Sequence, residues 1–169
     1  MIVKDSMVLI HLAKITLLEK SCEYFKEVVI SQTIYQEIIK GEQKGYGDAS
    51  LIKELVNKKK IKIKRIKDDK NLEKAEQYNI KGGEAEAVAL YWQEKADYLA
   101  TDDDNVRRKG LILKISIIGT PAIMISLYKS NRMSKEKYIS SIEELRKIGW
   151  FSSQVIDKMK MGVERWSNQ

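Results

Sequence analysis

The chain has 169 residues and a formal net charge of +7, which suits one domain with a substantial core and favours an anionic partner without choosing among nucleic acid, acidic protein and anionic surface. A single cysteine, Cys22, excludes an intramolecular disulfide and fits a reducing cytoplasm. No run of about 18 apolar residues exists to span a membrane, and the opening Met1 to Asp5 lacks the apolar core of a signal peptide.

Ile2-Val3 is a short apolar run ending at Asp5-Ser6. Val8, Leu9, Ile10, Leu12, Ala13, Ile15, Leu17 and Leu18 then read as one helix, with Ser6 placed as its N-cap. Val28-Val29-Ile30 is a second β-branched run. Ser31 or Thr33 can cap the next helix, where Ile34, Tyr35, Ile38 and Ile39 recur at helical spacing. Gly41 and Gly45-Tyr46-Gly47 are expected to break it. A helix over 49–56 carries Leu51, Ile52, Leu55 and Val56 on one side. After Lys58-Lys59-Lys60, residues 61–66 largely alternate, and their lysines suggest a guarded sheet edge.

A short polar helix is expected over 72–78 and a stronger one over 84–95, opened by Gly82-Gly83, with Ala85, Val88, Ala89 and Trp92 on one face. Strand four covers 97–100, a short helix 106–111, and strand five 115–118, which ends at Gly119-Thr120. Pro121 suits the first turn of the following helix. Two further helices cover 135–148 and 153–166, the last with Ser153 as a candidate cap.

Strands alternating with helices imply an α/β fold: a three-layer α/β/α sandwich on a mostly parallel five-stranded sheet, with extra C-terminal helices. The expected division is a domain over 1–130 and a helical extension over 131–169 packed on it.

Ligands of such sheets sit beyond the carboxyl ends of the strands. Asp5 ends strand one there, and the run Asp102-Asp103-Asp104 ends strand four. Glu37 borders the apolar face of its helix, and Glu84 lies in a first helical turn, with Glu86 competing for the same role. Each has an ordinary alternative. Asp5 suits a cap or turn, Glu37 a solvated helix face, and Glu84 the helix dipole. Capping does not require three adjacent aspartates. Jointly these groups make a hard, oxygen-only, anionic pocket, suited to Mg²⁺ or Mn²⁺ rather than zinc. His11, inside the first helix, reads as structural. Carboxylate-held Mg²⁺ or Mn²⁺ can lower the pKa of bound water and stabilise a reacting phosphodiester. A basic surface, including Lys58 to Lys67 and the cations of the tail, would complement nucleic-acid phosphates or simply be solvated.

In this order and spacing, the chain resembles a PIN-domain protein, the fold of toxin ribonucleases in prokaryotic toxin–antitoxin pairs. The pieces that carry the resemblance are Val3-Lys4-Asp5-Ser6, Val28-Val29-Ile30, Tyr35-Gln36-Glu37-Ile38, Gly83-Glu84-Ala85, Thr101-Asp102-Asp103-Asp104 with Arg107-Arg108, and Ile118-Gly119-Thr120. The tail from Met133 to Trp150 resembles one uncharacterised PIN subgroup in particular.

The resemblance implies a PIN-like sandwich and a Mg²⁺- or Mn²⁺-dependent ribonuclease. It implies catalytic Asp5, Glu37, Glu84 and Asp103, and metal ligands Asp5, Glu84, Asp102 and Asp103, with Ser6 and Arg107 in support. Within the aspartate run, one alignment selects Asp102 and Asp103. The other selects Asp103 and puts Asn105 at the last acid. The implied partners are RNA, an antitoxin protein and a second copy of the chain in a homodimer, through apolar faces near Leu12, Leu17 and Leu18 or in the tail, and the implied place is the cytoplasm. One departure stands out: Met7 occupies a position that is usually small and polar, two residues after the first aspartate.

Other functions are weighed on residues. A phosphate-receiving signalling domain needs a lysine at the end of strand five, where this chain has Ile118-Gly119-Thr120-Pro121. An Asp-x-Asp phosphatase fails at Met7. A catalytically weakened binding module on the same fold is the remaining alternative.

Overall fold

The structure is a computed structural model and describes residues 1–43 and 47–166. The described residues form five strands and ten helices. In chain order these are β1 (Ile2–Lys4), α1 (Ser6–Lys14), α2 (Leu18–Phe25), β2 (Val28–Ser31), α3 (Gln32–Gln43), α4 (Gly47–Asn57), β3 (Ile61–Lys64), α5 (Asp69–Gln77), α6 (Gly82–Glu94), β4 (Tyr98–Ala100), α7 (Asp104–Lys109), β5 (Ile117–Ile118), α8 (Thr120–Lys129), α9 (Lys135–Ile148) and α10 (Ser153–Trp166).

The strands make one sheet in the order β3-β2-β1-β4-β5, and every pair is parallel. β1 and β2 are buried along their whole length, as expected of β-branched runs covered by helices on both faces. The order reverses at β1, so β1 and β4 are adjacent although the 93 residues 5–97 separate them in the chain. Lys4 is in register with Ala100, and the Asp5 amide donates to the Ala100 carbonyl at 3.0 Å. Thr101 in turn donates to Ile118 at 3.0 Å. Asp5, Thr101-Asp102 and Gly119-Thr120 therefore leave the sheet together at its carboxyl edge.

Several local expectations are corrected. The helix after β1 is two helices. Thr16 takes a left-handed φ of 59°, and the Thr16 and Leu17 amides return to Ala13 and Leu12, closing α1 before α2 starts. Ser6 is not the cap: Asp5 is, with Oδ1 accepting from the Val8 amide at 2.8 Å. Gly41 does not break α3, which runs through it to Gln43. The break expected at Gly45-Tyr46 lies outside the described residues. β5 is reduced from 115–118 to Ile117–Ile118: the chain turns over 111–114, the Ile115 amide still closes that turn on the Gly110 carbonyl, and ladder pairing with β4 covers only Ile117 and Ile118. At α10 the cap hydroxyl belongs to Ser152, which accepts from Val155 at 3.4 Å.

Packing supplies what periodicity lacked. α6 lies along β1, β2 and β4 and under α5. It buries Gly83, Ala85 and four consecutive residues, Ala87 to Leu90, rather than one stripe, the pattern of a helix covered on several sides. α9 and α10 pack on each other and on α8. Leu12, Leu17 and Leu18 are fully buried, so this part of the chain offers no apolar face to a second copy. The lysines around edge strand β3 are largely paired: Lys60 with Glu19 at 2.7 Å, Lys62 with Glu27 at 3.0 Å and Lys64 with Glu94 at 2.5 Å. Among the described residues no helix is long and apolar enough to cross a membrane.

Candidate active site

Two acids at the carboxyl edge are buried in different ways. Asp102 is engaged on both oxygens. Oδ1 accepts the Thr120 amide at 2.8 Å, and Oδ2 accepts the Thr120 hydroxyl at 2.5 Å and sits 2.8 Å from His11 Nδ1. With Asp102 accepting, His11 donates from Nδ1 in either charge state. The aspartate thereby ties α1, the end of β4 and the start of α8 together.

Asp5 is engaged on one oxygen only. Oδ1 caps α1, whereas Oδ2 is buried without a hydrogen-bond partner. Burial raises the Asp5 carboxyl to about 7. The neighbouring Asp102 and Glu84 carboxyls add to the rise, and the Thr101 side chain and Val8 amide pull the other way. An orphaned carboxylate oxygen in a dry site costs free energy unless something positive meets it.

The glutamates separate by helix phase. Glu86 is occupied at the start of α3: Oε1 accepts the Thr33 hydroxyl at 2.7 Å and Oε2 the Thr33 amide at 3.3 Å. Ser31 caps the same helix, accepting from Ile34 at 3.2 Å. Glu84, half-buried in the first turn of α6, is left facing the acids. Glu37 reaches this place because Gly83 lets it in. A Cβ at Gly83 would come within 3.2 Å of the Glu37 carboxylate. Partial burial and then Glu84 and Glu86 raise the Glu37 carboxyl above its ordinary value. Ser6 and Glu37 both line a cavity of about 220 Å³ between α1, α3 and α4.

The remaining acids of the run have distinct positions. Asp103 caps α7, with Oδ1 accepting from Val106 at 2.8 Å, and its amide donates to the Thr101 hydroxyl at 3.1 Å. Asp104 is exposed, 3.9 Å from Arg108. Arg107 donates from a guanidinium nitrogen to the Thr101 carbonyl at 3.3 Å, beside Gly119. A Cβ at Gly119 would lie 2.5 Å from that guanidinium and 2.9 Å from Asp102 Oδ1. Arg107 can swing away, but Asp102 is pinned. Gly119→Ala is expected to destabilise the fold by about 1–3 kcal/mol, read as a lower midpoint of thermal unfolding.

A family model described as a PIN domain (DUF3368) matches residues 1–163. The chain belongs to the PIN-domain family. No curated protein and no solved structure matches it. PIN domains are generally nucleases and generally use divalent metals.

In this PIN domain, no three His, Cys, Asp or Glu side chains among the described residues stand close enough to form a ready-made cage. The donor set nevertheless fits a hard divalent cation: the orphaned Asp5 Oδ2 is carboxylate oxygen, Glu84 is a half-buried acid near it, and Glu37 is an exposed acid beside Glu84. Four residues of the site were quoted in the sequence only within longer motifs and given no site role: Thr101, Thr120, Gly83 as a site of close approach, and Trp150, whose indole N–H donates to the Asp102 carbonyl at 3.3 Å. Thr101 and Thr120 carry a legible signal, since they lie one and two residues past strand ends at the edge where ligands bind.

Proposed function

We propose that this PIN domain is a metal-dependent endoribonuclease that hydrolyses RNA phosphodiester bonds and acts as the toxin of a toxin–antitoxin pair. The observation that carries the reading is the buried, partnerless Asp5 Oδ2 beside Asp102 and Glu84. Such a site is stabilised by a cation and poorly tolerated without one.

The residues that would hold Mg²⁺ or Mn²⁺ are Asp5, Glu84, Asp103 and the neighbouring Asp102. When bound, the ion supplies Lewis acidity and neutralises phosphate charge. Glu37, with its raised carboxyl, is suited to accept a proton from the attacking water. Arg107, fixed on the Thr101 carbonyl, presents a cation to the RNA backbone. Ser6 lines the same cavity as Glu37 and takes a supporting role there. The helices after residue 130 serve as an extension that closes one side of a 1–130 nuclease core. The net charge of +7 suits an RNA substrate. A cytoplasmic setting, a protein antitoxin and a homodimer complete the reading, the exposed Ile139 and Met161 of the tail being the surface available to a second copy.

The alternative, a weakened RNA-binding module, is favoured by Met7, which takes the place of a small polar residue two positions after Asp5. Metal binding separates the two at the first step. Mn²⁺ at one hundred times its dissociation constant is expected to stabilise the wild type by about 2.7 kcal/mol, seen as a higher unfolding midpoint. RNA bound but uncut in saturating Mn²⁺ would support the module instead.

A further inference from the structure

Beside the acids lies a second cavity, of about 530 Å³, lined by Asp102, Asp104, Arg107, Trp150, Phe151 and Val155 among others. Its size falls in the roughly 300–1,000 Å³ range of small-ligand sites. The turn between α9 and α10 forms one wall. Trp150 is held there by its bond to the Asp102 carbonyl, and His11 backs it at 6.2 Å between ring centroids. His11 also braces Phe151, edge-on at 5.3 Å. The indole is thus fixed in place, yet 53% of Trp150 is exposed. An exposed tryptophan anchored through its polar edge keeps its π surface available.

The charged groups lining this cavity are Arg107, a cation, Asp104, an exposed carboxylate, and Asp102, whose oxygens are already engaged by Thr120 and His11, and Ser152 adds a hydroxyl. A planar ring on an aromatic wall, with a phosphate near the arginine and an exocyclic amine near the carboxylate, matches a nucleotide. We propose that this cavity receives an unpaired nucleobase of the RNA strand, stacked on Trp150, next to the phosphodiester placed at the acid site. The assignment rests on the RNA reading above and names a specificity subsite for it. Single strands would enter readily, whereas a duplex would have to release the base.

The test is equilibrium binding of a labelled single-stranded RNA decamer, followed by anisotropy with chelator present so that nothing is cut. Trp150→Leu is expected to weaken binding about tenfold or more, the usual consequence of losing one stacked base. Trp150→Phe, which keeps a ring but not the bond to Asp102, should stay within about threefold of the wild type. In case the leucine variant fails to fold, a decamer with abasic sites introduced one position at a time is bound to the wild type. One position should lose about tenfold. Equal binding by Trp150→Leu and wild type overturns the proposal, as does a phenylalanine variant as weak as the leucine one, or an indifferent abasic series. If the wild type cuts RNA in Mn²⁺ while all variants bind alike, the subsite falls and the nuclease stands. Stacking without any cutting has the reverse meaning.

Discussion

Asp5→Asn is expected to abolish metal-dependent activity and, at the same time, to make the metal-free protein more stable at pH 8. The two effects share one cause. The buried Asp5 carboxyl titrates near 7 in the folded chain, against 3.8 for an unperturbed aspartate. A raised acid contributes stability that is fully present below the unfolded value and disappears as pH rises through the folded one. Above pH 7 the folded wild type therefore carries an ionised, buried carboxylate with one oxygen unpartnered, at a cost on the order of 4 kcal/mol. Asparagine does not ionise, and its Oδ1 can still accept from Val8 and cap α1. In chelator, the variant should unfold at a higher temperature than the wild type at pH 8, and the gap should close as pH falls from 7 to 4. In Mn²⁺ the order should reverse. Loss of a direct ligand should lower activity at least about a hundredfold.

Asp102→Ala has the opposite character. Its side chain is buried and accepts from the Thr120 amide, the Thr120 hydroxyl and His11. Removing it leaves all three donors dry. Breaking one partner of such a buried group costs about 3–5 kcal/mol, which in a chain of this size lowers the unfolding midpoint by about 6–20 °C. Calorimetry or far-ultraviolet dichroism would show it. Asp102→Asn should fall between, since one amide nitrogen must face a donor. A variant that unfolds with the wild type would mean that His11 and Thr120 find other partners at no cost.

These contrasting outcomes explain what could be read from the sequence. β1 and β2 were visible as apolar runs rich in β-branched residues that are covered on both faces, and β3 as an alternating one; the carboxyl-edge rule then gathered Asp5 and the aspartate run. Glu37 was read at the border of its helix's apolar face and owed its catalytic role to the family resemblance, because the glycine that admits it, Gly83, lies 46 positions away. The choice of Glu84 over Glu86 depended on Thr33 reaching Glu86 across α3 and α6. Within Asp102-Asp103-Asp104, three identical residues separate only through partners far along the chain, His11 and Thr120 for the first and the start of α7 for the second. Trp150 was hidden for the same reason: its place beside Asp102 follows from how α9 and α10 return over α8. The break at Thr16 had no local signal, since an apolar run from Val8 to Leu18 fits one helix as well as two.

The most direct measurement is cleavage of a labelled single-stranded RNA by the wild type and Asp5→Asn, side by side, in Mn²⁺ and in chelator. The wild type should cut in Mn²⁺ alone, and the variant, folded and at least as stable without metal, should not cut in either. Cutting by the wild type in chelator, or by Asp5→Asn at the wild-type rate, would contradict an acid site centred on Asp5.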